Sequence, residues 1–234
     1  MNRINNKKTG LIAGVILLLG FVLFTFLVIY FDVQPVGQKG TNIGFSTVNT
    51  RFHQLTGSNM TLYTITDWLG IVPILICMCF GVLGLVQLIK RRSLLKVDID
   101  IILLGVYYII VILGYLIFEM IPINYRPIPI DGYMEASYPS STTLLVLSVM
   151  PTLKFQIDRR AKNKTVKGIT TAFVVLFSAF MVIGRLISGV HWLTDIIGSV
   201  ILSAGLYLLY RSSVLLIEFK KEKRNENTRI ERKS

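Results

Sequence analysis

Charge is what this sequence has little of. Only 16% of its 234 residues are charged, against about a quarter in a typical soluble domain, while 53% are hydrophobic. That deficit, with the long apolar runs below, excludes an ordinary soluble globule and points to a membrane protein. Acidic residues are scarce: 13 Asp and Glu stand against 25 Lys and Arg, for a net charge of +12. Cysteine is limited to Cys77 and Cys79, two apart in an apolar run. Helical geometry points them in different directions and no other thiol exists, which excludes a disulfide and leaves two packing residues. Histidine is limited to His53 and His191, too few for a convincing metal set, so neither a metal nor another cofactor is expected. There is no internal repeat and no low-complexity tract, and the length leaves little room for a separate soluble domain.

What the chain does have is apolar runs near the roughly 20 residues that a hydrocarbon core requires of a helix. They fall at about Leu11–Phe31, Trp68–Ile89, Ile99–Ile121, Gly168–Ile187 and Thr194–Phe219. A shorter one, about Ser140–Ile157, is interrupted by Pro151 and ends near Lys154, which can snorkel to the interface. The expectation is an all-α polytopic bundle of six transmembrane helices over residues 1–219. A polar, charged tail, 220–234, is expected to be disordered. The first run exceeds a signal-peptide h-region and has no small-x-small site after it, so it reads as a retained helix.

Lys and Arg set the orientation. They gather before the first run (Arg3, Lys7, Lys8), after the second (Lys90, Arg91, Arg92, Lys96), after the fourth (Arg159, Arg160, Lys162, Lys164, Lys167) and in the tail. Only Lys39, Arg51, Arg126 and Arg185 fall on the other side. Both termini are therefore expected to be cytoplasmic, and the basic excess reads as a topology signal and an attraction to anionic lipid, not to nucleic acid. Trp68, Trp192, Tyr63, Tyr125, Tyr133 and Tyr138 cluster at the outer ends of the spans, as an interfacial aromatic belt would. The outer segment 32–67 reads as a lid, a substrate mouth or a plain loop, and its Asn59-Met60-Thr61 sequon as accidental.

Ionisable residues within membrane segments are costly and mark functional sites. The sharpest set is Arg185, His191 and Asp195. Placed four apart on a helix, His191 and Asp195 share a face, and the carboxylate can orient the imidazole as a nucleophile. Arg185, across a turn containing Gly189, adds a planar cationic fork suited to phosphate. Arg126 supplies a second. Pro139-Ser140-Ser141-Thr142 opens the fourth span, where free helix N–H groups and hydroxyls suit an anion. The bland readings are a polar cluster at helix ends for the His–Asp–Arg set, an interfacial anchor for Arg126, simple capping for Ser140, Ser141 and Thr142, and solvated carboxylates for Glu119, Asp131 and Glu135.

These segments resemble the type 2 phosphatidic acid phosphatase family of membrane enzymes, related to the vanadium haloperoxidases. That family's motifs read Lys-x6-Arg-Pro, Pro-Ser-Gly-His and Ser-Arg-x5-His-x3-Asp, in this order. The third is matched by Arg185, His191 and Asp195, with Gly184 at its leading Ser. Given His191, chance puts Arg and Asp at both offsets only ~0.4% of the time if each is ~6% of residues. The resemblance spans roughly Glu119 to Asp195 by motif and implies that His191 attacks phosphorus to give a phosphohistidine. Asp195 would orient it, and Arg126, Arg185 and the Ser140–Ser141 backbone would hold the phosphoryl oxygens. The implied ligand is a membrane lipid carrying a phosphate or diphosphate, met at the extracytoplasmic face; small size and minimal loops fit a bacterial plasma membrane.

Two important positions depart from the family. Glu119 stands where it has Lys, and Thr142 where it has the His that serves as general acid. A threonine hydroxyl is a poor proton donor near pH 7, and general acid catalysis is worth ~10²–10⁴ in rate. Three readings follow: a phosphohydrolase that prefers a diphosphate, such as an isoprenyl diphosphate, whose leaving group needs the proton less; a pseudoenzyme that binds a phosphorylated lipid or a partner protein; and a transferase that passes the phospho group to an acceptor other than water. In the first, Glu119 or Glu135 would stand in for the missing acid if its pKa is raised.

Overall fold

The computed structural model describes residues 2–231, and side chains for residues 8–228. Among them the chain is all helical apart from isolated β-bridges. The helices are α1 (Asn2–Tyr30), α2 (Ser46–Thr56), α3 (Met60–Leu69), α4 (Ile71–Arg91), α5 (Ile99–Met120), α6 (Ser141–Arg160), α7 (Lys164–Ile187) and α8 (Leu193–Glu231). Five stretches are long and apolar enough to cross a membrane: Lys8–Tyr30, Met60–Arg91, Ile99–Met120, Lys164–Ile187 and Leu193–Thr228. They coincide with the five long runs of the sequence. The second joins α3 to α4 through Gly70, so the end of the expected outer loop is in fact the first turns of a span.

α6 is the exception, and its burial explains why. It packs against α4, α5, α7 and α8, with α1 laid along α8. Thr143, Ser148, Thr152 and Gln156 on α6 are all fully buried. Neighbouring helices meet these polar positions: Tyr107 Oη donates to the Ser148 carbonyl (2.9 Å), the Tyr108 and Thr152 hydroxyls pair at 2.7 Å, and Gln156 Nε2 donates to Tyr210 Oη (2.7 Å). A helix surrounded by protein need not be apolar all round, and its hydropathy is weak for that reason. Pro151 is accommodated within the continuous helix. At the far end of α6 from Ser141, Arg160 Nη1 meets Asp100 Oδ2 at 2.7 Å and Arg159 pairs with Glu218, joining α5, α6 and α8.

Two expectations change. The tail, read as disordered over 220–234, continues α8 as helix to Glu231, and residues 232–234 lie outside the described residues. Its Glu, Lys, Arg and Asn composition carries no helix breaker, and an already formed helix propagates without a new nucleation cost. The aromatic belt also divides. Trp68 and Tyr133 are largely exposed, but Trp192 and Tyr138 are inside the protein. Trp192 Nε1 donates to the Tyr125 carbonyl (2.8 Å), and the Tyr138 hydroxyl pairs with Thr25 Oγ1 (2.7 Å).

Candidate active site

His191 lies in the turn between α7 and α8, and Asp195 in the first turn of α8. They do not share a helical face, as the spacing alone suggests. The Asp195 carboxylate instead turns back over the helix start and accepts from the Trp192 amide (2.8 Å). His191 Nδ1 is 3.6 Å from Asp195 Oδ2, beyond hydrogen-bond range. The Ser137 hydroxyl fills that gap, donating to Asp195 Oδ2 and standing 3.2 Å from His191 Nδ1. With its one proton given to the carboxylate, Ser137 Oγ can only accept from Nδ1–H. That fixes the tautomer and leaves the Nε2 lone pair bare. Nε2 is buried without a partner. Burial, and then the nearby charges of Arg126 and Arg185, hold the His191 pKa well below the ordinary histidine value. The imidazole is therefore neutral and nucleophilic at pH 7.

Ser137 is delivered by the segment between α5 and α6, which folds back on itself. Tyr125 bridges Ala136, the Arg126 amide donates to the Glu135 carbonyl (3.1 Å), and the Ser137 amide donates to the Asn124 carbonyl (2.9 Å). The same fold places Arg126, which is 7% exposed. Its Nη2 meets Glu135 Oε2 at 3.1 Å, while Nε and Nη1 are buried without partners.

Arg185, at the end of α7, is 1% exposed. Its Nη2 donates to Thr142 Oγ1 (2.5 Å) and to Asp67 Oδ1 (3.1 Å), and its Nε is unpartnered. Both guanidinium groups lie against the Tyr63 ring, at 4.8 Å for Arg185 and 5.7 Å for Arg126. Tyr63 and Asp67 come from α3, four residues apart on one face. Two glycines admit that helix. A Cβ on Gly184 would lie 2.7 Å from Thr66 Cγ2, and one on Gly189 would lie 1.9 Å from the Gly57 carbonyl oxygen. Gly189 also has φ +69°, which favours glycine. The family's serine at position 184 would have to displace the Thr66 side chain of α3. Asn59 of the sequon caps α3, accepting from the Leu62 amide (2.9 Å).

The predicted residues thus separate. His191, Arg126 and Arg185 face one another, and Asp195 joins through Ser137. Ser140 is fully buried, its amide donating to the Asp195 carbonyl (3.2 Å) and its hydroxyl to Thr143 Oγ1 (3.1 Å). Its donors are therefore spent within the fold, and it braces the site where a phosphate contact was expected. Ser141 and Thr142 open α6, whose first-turn amides have no partner within the helix. They line an apolar groove of about 530 Å³ between α4, α5 and α6, together with Asp67, Ile74, Val111 and Leu145. Glu119 lies outside this groove, beyond Tyr115, and Glu135 is held by Arg126. Among the described residues no cluster of three or more His, Cys, Asp or Glu suits a metal. Ser137 and Asp67 were not singled out from the sequence, and Tyr63 only as a belt aromatic.

The bundle thus holds a histidine with an unpartnered Nε2 near the buried guanidinium groups of Arg126 and Arg185. The PAP2 superfamily model matches residues 95–216, half of the chain, and the chain belongs to that superfamily. A comparison with curated proteins finds no match. Among solved structures, the chain is similar to the first transmembrane PAP2-type phosphatidylglycerolphosphate phosphatase from Bacillus subtilis. The TM-score is 0.59 at 15% identity, over 85% of this chain and 94% of that one. At that identity the likeness establishes the fold.

Proposed function

We propose that this protein is a plasma-membrane phosphohydrolase that cleaves a lipid phosphate or diphosphate at the extracytoplasmic face through a phosphohistidine on His191. The observation that carries this reading is the buried, unpartnered Nε2 of a neutral His191 beside the unpartnered N–H groups of Arg126 and Arg185. Nε2 attacks phosphorus. Arg126, Arg185 and the α6 first-turn amides at Ser141 hold the phosphoryl oxygens, where charge gathers in the transition state. Asp195, through Ser137, balances the positive imidazole that forms. Water then releases phosphate and restores the histidine. The apolar groove suits the lipid chain, and its mouth at Ser141 and Thr142 suits the head group.

In this reading α6 also spans the membrane, fourth in chain order of six, and both termini are cytoplasmic. Lys90, Arg91, Arg92, Arg159 and Arg160 support it, because they lie at the ends of α4 and α6 remote from the site.

The test is phosphate release by the purified protein from phosphatidic acid and from an isoprenyl diphosphate, with His191→Ala alongside. Release that the variant abolishes is the expected result. Thr142 and Glu119, at the family's acid and Lys positions, favour a second reading, a pseudoenzyme that binds a phosphorylated lipid or a partner protein. Saturable lipid binding without release selects it.

A further inference from the structure

We infer that Asp67 is the proton donor to the leaving group, taking over from α3 the role that Thr142 cannot fill; this rests on the phosphohydrolase reading. Asp67 Oδ1 and Thr142 Oγ1 receive hydrogen bonds from the same atom, Arg185 Nη2, at 3.1 and 2.5 Å. A carboxyl group therefore stands within one guanidinium nitrogen of the position where the acid is missing. It is half exposed and faces the groove. Of the groove's lining residues only Asp67 and Tyr115 are titratable, and a phenol is too weak an acid to serve near pH 7. The two carboxylates considered from the sequence as substitute acids are placed otherwise: Glu135 is paired with Arg126, and Glu119 lies outside the groove.

The groove also fixes direction. His191 does not line it, whereas Asp67, Ser141 and Thr142 do. A lipid whose chain lies in the groove brings its bridging oxygen in on the Asp67 side, with phosphorus beyond it toward His191. Nucleophile and proton donor are then on opposite sides of phosphorus, as in-line displacement requires.

The groups facing Asp67 are Arg185 from α7, Thr142 from α6 and Tyr115 across the groove. In the free protein Arg185 pairs with the carboxylate. An arriving phosphoryl group competes for that guanidinium, which frees the half-exposed carboxyl group to exchange a proton with solvent. As the His191 Nε2–P bond forms and the P–O bond to the lipid breaks, the leaving oxygen takes the Asp67 proton. The carboxylate left behind then accepts a proton from the attacking water, the N–P bond breaks, and free phosphate and protonated Asp67 result.

The feature that admits Asp67 is Gly184. A side chain there would collide with Thr66, the residue before Asp67. The departures from the family at positions 184 and 142 thus belong together: one admits α3, and the other makes room for the acid it carries.

The experiment measures turnover of phosphatidic acid, whose leaving group is an alkoxide, and of an isoprenyl diphosphate, whose leaving group is a phosphate. Wild type, Asp67→Asn, Asp67→Glu and Asp67→Asn/Thr142→His are compared. Asp67→Asn is expected to lose ~10²-fold or more on phosphatidic acid but under ~10-fold on the diphosphate. Asp67→Glu should retain most of the activity, and the added histidine should restore monoester turnover. Equal losses on both substrates, as misfolding or lost positioning would produce, overturn the inference, and so does no loss. Phosphate release by wild type from neither substrate overturns the phosphohydrolase reading itself, and the inference with it.

Discussion

His191 Nδ1 and Asp195 Oδ2 stand 3.6 Å apart, and the carboxylate reaches the imidazole through the Ser137 hydroxyl. The pair therefore depends on a third residue, contributed by a segment more than fifty positions away.

Ser137→Ala should lower kcat for lipid phosphate about 10- to 100-fold with little change in KM. Removing the hydroxyl leaves the buried Nδ1–H unsatisfied and Asp195 Oδ2 with only the Trp192 amide, worth ~1–3 kcal/mol, and frees the imidazole to rotate. Ser137→Thr, which keeps the hydroxyl, should recover part of the loss. Steady-state kinetics of the three proteins checks this.

The His191 pKa is held below the ordinary value by burial and by Arg126 and Arg185. A lowered histidine pKa keeps the neutral nucleophile populated as the pH falls through 6.5. The acid limb of kcat/KM should therefore appear below pH 6.5. Arg126→Gln removes one of the two charges, so it should move that limb upward while weakening phosphate binding. A pH profile of both proteins measures the shift.

Glu135 occupies Arg126 Nη2, which a phosphoryl oxygen also seeks. Glu135→Gln should lower KM roughly 2- to 5-fold at low salt, and the gain should shrink as salt rises, because a part-exposed ion pair is worth only ~0.2–1 kcal/mol. KM measured across a salt series tests it.

Gly189→Ala should destabilise the protein by more than ~1 kcal/mol and reduce activity together. The position combines a left-handed backbone with the 1.9 Å approach that a Cβ would make to the Gly57 carbonyl oxygen. Relief requires moving the start of α3 and, with it, Tyr63 and Asp67. Thermal unfolding in detergent, read beside turnover, checks the coupling.

The long helices were legible because lipid demands a continuous apolar run, and α5 meets that demand without interruption from Ile101 to Phe118. The Arg185, His191 and Asp195 set was legible because its spacing is local. Ser137 and Asp67 were hidden for the opposite reason. Arg185 and Asp67 are 118 positions apart, and their meeting depends on how closely α3 packs on α7. Ser140 misled because its side chain suits a phosphate ligand and an internal brace equally well. Trp192 and Tyr138 misled similarly, since an aromatic residue near a span's end reads alike as an interfacial anchor or a buried one.

The polar interior of α6 bears on how the chain is built. A helix whose Thr152 and Gln156 find their partners on α5 and α8 has little reason to leave an aqueous channel for lipid alone. Where α6 spans the bilayer, as proposed, Gln156 meets its partner only once Tyr210 has been made, some fifty residues later. The segment that carries Ser141 and Thr142 would then be among the last to be seated.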